Sequence, residues 1–330
     1  MKKIHLLCYL LSCFFIVSCA TTSADQQRPL WIDNAQSEYS ESDYLTAVGQ
    51  ASKRNRAASN ATTNLAEIFY VQVRAETNML TKATKEESAL GVTMESSTSL
   101  QRNIQTKTDQ ALSGVKIKES WLSPTGEYYA LAVLGKRTAA MSLTESIMEL
   151  DNSTAELINY SINTAPNSIA SLNALREARD EQMARQMANL QLKQVSPSGI
   201  PSDISSKKIE RLIAQKLATM EVTVQIDNKI EAQMVQSGLA KLGVKLVDNA
   251  NIVVSADIQL TDPMLINNWY WLRGNYALTL SENGQVMSRK HWPIKVSSTQ
   301  QALLDLRLQD TINANVSHYL IELMSDSPRL

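Results

Sequence analysis

The chain has 330 residues, 44% hydrophobic and 20% charged, with a formal net charge of −1 at pH 7. That length predicts two domains rather than one, and charge of both signs spread along the chain excludes the basic field that nucleic-acid binding needs. The three cysteines, Cys8, Cys13 and Cys19, all lie at the start, so the rest of the chain must fold on packing alone, without a disulfide.

Met1–Cys19 (MKKIHLLCYLLSCFFIVSC) opens on Lys2 and Lys3, continues with the apolar run Leu6–Val17, and ends with a small residue before a cysteine. This is the three-part shape of a secretory signal, with an apolar core too short to span a bilayer comfortably. Its end, Ile16-Val17-Ser18-Cys19, resembles a bacterial lipobox. The resemblance implies cleavage between Ser18 and Cys19, a thioether-linked diacylglycerol on the Cys19 sulfur, and acylation (palmitate) of the freed amine. Several acyl chains hold a protein firmly where one holds it marginally. Ala20 follows the cysteine where an Asp would resemble an inner-membrane retention signal, which implies transfer to the outer membrane, facing the periplasm. Residues 19–28 are polar and aperiodic and read as a flexible tether.

Pro29-Leu30-Trp31-Ile32 marks the start of ordered chain, with Trp31 as a core plug. Tyr44–Val48 reads as a strand stopped by Gly49, where either a positive φ or a close backbone approach is expected. Ser52 is the expected N-cap of a long helix reaching about Met79, with Ala58, Ala61, Leu65, Ile68, Phe69 and Gln72 on one face. The stretch 80–112 is rich in Ser, Thr, Gln and Glu and allows an edge strand or a helix. Val115–Trp121 alternates strictly, Pro124-Thr125-Gly126 turns, and Tyr128–Leu134 returns as a second strand. This hairpin beside Tyr44–Val48, covered by the long helix, predicts an α+β domain.

Pro29-x-Trp31-Ile32, Tyr44-Leu45-Thr46-Ala47-Val48-Gly49-Gln50-Ala51 and the alanine-rich helix carrying Asn55, Ala58, Ala61 and Leu65-Ala66 resemble the LPP-twenty lipoprotein family. The resemblance covers Pro29 to Lys136. It implies an outer-membrane lipoprotein of a Gram-negative bacterium, related to flagellum-associated envelope proteins, and brings no catalytic residues with it.

A second helix is expected from Ser142, with Leu143, Ile147, Leu150, Leu157 and Ile158 in a stripe, broken by Ala165-Pro166-Asn167. A third follows from Ser168 with Leu172, Leu175, Arg179, Met183, Met187 and Leu190 on one face; Arg179 is expected to pack its stem and snorkel its head. Gln194–Ser205 carries two prolines and a glycine and reads as a joint between mobile domains. Beyond it come a helix capped by Ser206, the strand Met220–Ile226, and the helix Asn228–Leu242 with Ile230, Met234, Val235, Leu239 and Leu242 inward, ended by Gly243 at C′. Val244–Val247 and Ile252–Leu260 are strands. Trp269–Ser281 and Gln285–Val296 pair around Asn283-Gly284, and Gln300–Met324 is a closing helix. The pattern Leu242–Asp248 followed by Ala250–Ala256 is similar to small periplasmic α/β domains such as the amino-terminal domain of TolB, cell-wall synthase activators and the curli secretion lipoprotein. The expected division is signal 1–18, tether 19–28, α+β domain 29–137, helical hairpin 138–193, linker 194–205 and α/β module 206–330. The expected fold class is α+β: two small α/β sandwich-type modules joined by the hairpin and the Pro-rich linker.

Catalytic motifs are absent. His291 and His318 lack metal-ligand spacing to each other, and there is no H-E-x-x-H, G-x-S-x-G, G-x-G-x-x-G or phosphate loop. No catalytic residue, metal or cofactor is expected. The most suggestive stretch is Asn267-Asn268-Trp269-Tyr270-Trp271 with Arg273. Three consecutive aromatics in a strand cannot share a face, so one side goes to the core and the other offers a partner or glycan contact. Pro293 puts its strand at an edge or a bulge, open to β-addition. The expected function is a non-catalytic, lipid-anchored scaffold, adaptor or assembly factor working with other envelope proteins; the alternative is a peptidoglycan-binding module or a regulator of cell-wall synthesis.

Overall fold

The computed structural model describes residues 27–68 and 114–325. The signal, Ser18, Cys19, most of the tether, the expected continuation of the first long helix with Phe69 and Gln72, and the stretch 80–112 lie outside the described residues.

The first sheet has strands β1 (Tyr44–Ala51), β2 (Lys116–Leu122) and β3 (Tyr128–Gly135) in the order β1-β3-β2, all antiparallel. Period-2 side-chain alternation sorts β3 between two layers. Ala130, Ala132 and Leu134 join the core beneath the helices, while Leu131 and Val133 pack with Trp31 on the opposite face. Trp31 is thus the plug that its sequence context predicts, 3% exposed.

The helix after β1, here α1, begins at residue 54 and is described to residue 68. Its first hydrogen bond runs from the Ala57 amide to the Lys53 carbonyl, so Lys53 takes the N-cap place expected of Ser52. Its buried residues are Ala57, Ala61, Leu65 and Ala66; Ala58 is only partly buried and Ile68 is exposed. Small residues let α1 lie directly on β1. A Cβ at Gly49 would land on the backbone of Ala57 and Ala61, so close approach, and not a positive φ, is why that position is glycine.

Helix α2 (Lys136–Asn163) follows β3 without a loop, six residues before the expected Ser142, because the Gly135 backbone is extended and serves directly as N-cap. Helix α3 (Ser168–Val195) starts at Asn167, whose side chain accepts from the Ala170 amide. The hairpin belongs to two cores. Ile169, Leu172, Leu175 and Ala178 pack with the C-terminal module, and Ala184, Ala188 and Leu192 pack with the first sheet.

The expected snorkelling of Arg179 does not occur. Its side chain is 4% exposed and pairs with Asp180 at 3.1 Å. Arg176, Gln182 and Arg185 are buried at neighbouring positions on the same helix. Arg176 donates to the Met324 carbonyl at 2.9 Å, and Arg185 reaches Asp151 of α2 and the Pro201 carbonyl. Burial brings the Arg176 guanidinium down to about 10, aided by the like charge of Arg179. Burial likewise raises the Asp180 carboxyl, against the pull of Arg179.

The segment after α3 is pinned along it. Asn189 accepts from the Ile200 amide, Gln182 donates to Ser202, and Gln186 donates to Ser206. Such contacts restrain a linker that composition alone presents as free.

The C-terminal module contains α4 (Ser206–Thr219), β4 (Glu221–Gln225), α5 (Lys229–Lys241), β5 (Lys245–Leu246), β6 (Ile252–Leu260), β7 (Met264–Ile266), β8 (Trp269–Glu282), β9 (Gln285–Ser298) and α6 (Leu304–Leu323). The sheet order is β5-β4-β6-β8-β7, with β9 on the other side of β8. Strand β4 pairs parallel with β5 and β6; the remaining pairs are antiparallel. Ser205, not Ser206, caps α4 by accepting from the Lys208 amide. Asn228 caps α5, and Gly243 ends that helix region at φ +83, as expected of a C′ glycine. Ile230 in the first turn of α5 is 49% exposed, and its neighbour Glu231 is buried in its place; one residue is a 100° rotation on a helix, enough to exchange faces. Asn283 and Gly284 both have positive φ, which fits the primed hairpin turn their dipeptide predicts. The fold class is α+β.

Candidate functional site

Among the described residues, the sheet of the C-terminal module has one face under α4, α5 and α6 and one face open. On the covered side lie Leu272, Tyr276, Leu278 and Leu280 of β8 and Ile294 and Val296 of β9. Trp292 is part of this side too. It stacks on Tyr319 with ring centroids 4.1 Å apart and donates its indole N–H to Glu322. Glu231 and Tyr276 are a buried polar pair in the same core. Burial raises the Glu231 carboxyl, the Tyr276 hydroxyl opposes that rise, and Asp257 adds to it. Burial also raises the Tyr276 phenol.

The singled-out aromatic stretch is split by the pleat. Tyr270 packs toward the core with Leu272. Trp269 and Trp271 fall on the open side, Trp269 being 46% exposed. Trp271 is half-buried under the Lys295 ammonium, which sits 4.8 Å from the ring centroid. Arg273 is exposed one register pair away, directly opposite Lys295. Asn267 and Asn268, which flank the aromatics in sequence, have φ of +49° and +62° and form a turn. They tolerate that conformation because a short polar side chain can bond locally. Their role is to reverse the chain.

That reversal exposes a strand missed by the sequence reading. β7 pairs Met264, Leu265 and Ile266 with Trp271, Tyr270 and Trp269. All three β7 residues are exposed, Leu265 at 59%. The signal for it was Asn267-Asn268 itself, an αL-tolerant pair between two apolar triplets. β6 and β7 run consecutively along the same edge of β8, with Thr261-Asp262-Pro263 as an interruption; the Thr261 amide bonds the Arg273 carbonyl at 2.9 Å. From Ala256 onward no strand pairs the outer side of this line among the described residues. β9 is the opposite edge of the sheet and carries Pro293.

His291 lies on the open face in a shallow depression with Asp257, Gln259, Asn275 and Arg289. His318 lies on α6, 3.3 Å from Glu322. Among the described residues no group of three or more His, Cys, Asp or Glu is placed to hold a metal ion. Among those residues, too, no helix is long and apolar enough to cross a membrane.

Residues 29–135 match the family model described as LPP20 lipoprotein, the region and family that the strand and helix motifs predicted. Among solved structures the chain is similar to a secreted protein from Helicobacter pylori, at 14% identity over 84% of this chain and 97% of that one, with a TM-score of 0.45. It is also similar to a minor lipoprotein from Acinetobacter baumannii, at 13% identity over 31% of this chain and 92% of that one, with a TM-score of 0.27. Rare lipoprotein B from Shewanella oneidensis is similar at 11% identity over 32% of this chain and 89% of that one, with a TM-score of 0.21. No curated protein matches. The family match supports a bacterial envelope lipoprotein.

Proposed function

We propose, from the LPP20 lipoprotein region at residues 29–135, that this chain is a non-catalytic scaffold or adaptor anchored at the outer membrane through lipid on Cys19 and facing the periplasm. The observation that carries the scaffold reading is the sharing of α3 between two cores. That helix has 28 residues, so it is about 42 Å long. Its beginning is tied to the C-terminal sheet, where Glu282 accepts from the Ser168 amide at 3.0 Å. Its end packs under the first sheet. The body therefore presents its C-terminal module at a set distance from the domain nearest the tether, as an adaptor requires and a loosely linked pair of domains would not provide.

Cell fractionation tests the anchor. A Cys19→Ser variant should leave the outer-membrane fraction; if it stays there with full function, the anchor assignment is wrong. Site-specific photocrosslinking in cells tests the adaptor. Envelope proteins captured at open-face positions such as Arg273 support it, whereas no protein product from either module sinks it.

A further inference from the structure

We propose that the hairpin turn at Asn267-Asn268 is a membrane-dipping tip: Leu265, Ile266 and Trp269 enter an anionic phospholipid surface while Arg273 and Lys295 meet the lipid phosphates. The inference goes beyond the Cys19 anchor and does not rest on it.

Three observations carry it. The tip is apolar on both faces. Register places Met264 and Ile266 with Trp271 and Trp269 on the open face, and Leu265 with Tyr270 on the other. Met264 is 47% exposed, Leu265 59%, Ile266 43% and Trp269 46%. An interfacial lipid layer surrounds a protrusion and buries both of its faces at once.

The second observation is charge. Arg273 and Lys295 stand directly opposite each other on β8 and β9, and neither has a carboxylate partner among the described residues. Like charges in that relation oppose sheet formation, and an anion between them removes the opposition. Lys295 already lies over the Trp271 ring, one register step toward the tip. From the turn, Asn267-Asn268 come first, then the mixed pairs Ile266–Trp269, Leu265–Tyr270 and Met264–Trp271, then the basic pair Arg273–Lys295, so the apolar and aromatic groups lie beyond the basic ones as an interfacial contact with anionic headgroups requires. Asp262, in the interruption before β7, is the carboxylate closest in sequence to the tip, and Asp305 opens α6. Asp262 follows Thr261, whose amide bonds the Arg273 carbonyl, so it stands near the level of the basic pair and tempers its attraction.

The third is backbone. β7 and β8 pair with each other through the tip, so the inward peptide groups of β7 are bonded; its unpaired outer edge bonds to headgroups and water, which confines the tip to the interface. Three residues of strand reach about 10 Å, the depth of an interfacial contact and far short of a span.

The test uses residues 19–330 carrying Cys19→Ser, so that no acyl chain binds the vesicle. This chain should float with vesicles of phosphatidylglycerol and phosphatidylcholine, much less with phosphatidylcholine alone, and release at high salt. A Leu265→Asp/Ile266→Asp variant should bind at least about tenfold more weakly. Arg273→Gln/Lys295→Gln should lose the preference for anionic vesicles while keeping its melting temperature. As an independent readout, Leu265→Cys gives that chain its single thiol; a nitroxide there should become accessible to oxygen in the bilayer when vesicles are added. Absence of flotation with anionic vesicles, or equal flotation of the Asp variant, overturns the proposal. So does self-association that the Asp variant abolishes while vesicles remain unbound, which would assign the tip to a second copy.

Discussion

Strand β1 of the first sheet and the β6–β7 line of the second are both sheet edges, and among the described residues only β1 is covered. Helix α1 lies on β1 so closely that Gly49 has no room for a side chain. From that helix Asn60 donates to the Gln50 carbonyl at 2.9 Å and Asn64 to the Val48 carbonyl at 2.8 Å. Two backbone acceptors that would invite another strand are satisfied by side chains instead, which is one way of blunting an edge. Along β6–β7 no comparable side-chain bond to the outer backbone is made beyond Ala256 among the described residues, and the exposed large apolar residues there are Leu260, Met264, Leu265 and Ile266, beside the polar Asp257, Gln259 and Asp262. A chain that seals one edge and leaves the other apolar separates a structural sheet from a contact surface.

The largest effect should come from breaking the seal. Gly49→Ala puts a Cβ into the backbone of α1, which must move away. We expect a loss of about 3 kcal/mol in urea unfolding, at the top of the range for overpacking, whereas a change below half of that would mean that α1 sits less tightly than described. An intermediate effect is expected from Asn60→Ala/Asn64→Ala. Each lost bond should cost about 1 kcal/mol, and freeing the Val48 and Gln50 carbonyls should raise concentration-dependent light scattering near the midpoint. A double mutant as stable and as soluble as the parent would show that the edge is protected by something else. The smallest effect should come from the open end: Leu265→Lys should shift stability by about 0.5 kcal/mol or less in the same unfolding assay. A larger loss would mean that the tip belongs to the core. Retention on purified sacculi, if found and then lost in Trp269→Ala/Trp271→Ala, would sharpen the contrast differently, by making the open face a glycan contact.

Elements with local signals were legible. The Asn283-Gly284 turn, the Gly243 helix end, the β6 boundaries and the strand pair around Pro124-Thr125-Gly126 follow from dihedral preference and period-2 patterning within a few residues. The lipobox-like stretch and the motifs of the first domain are equally local, which is why the family of residues 29–135 could be stated from sequence. The aromatic stretch was readable only as far as the pleat rule went. Period 2 separates Tyr270 from Trp269 and Trp271, but whether a neighbour covers the open side depends on strands and helices far away in sequence.

What the sequence by itself determined, then, is the order of elements, the family of the first domain and the residues at which turns form, because each rests on short-range backbone and side-chain preferences. Tertiary structure alone decided the rest. Gly49 allowed either a positive φ or a close approach until α1 was seen against β1. Arg179 looked amphipathic on an isolated helix, but α3 is packed from two cores and buries it together with Arg176 and Arg185. Residues 194–205 looked like a free joint until α3 was seen to run to Val195, with its Asn189, Gln182 and Gln186 holding the neighbourhood. The exposed apolar tip emerged only once β7 was paired, since exposure is set by what the rest of the chain does not cover.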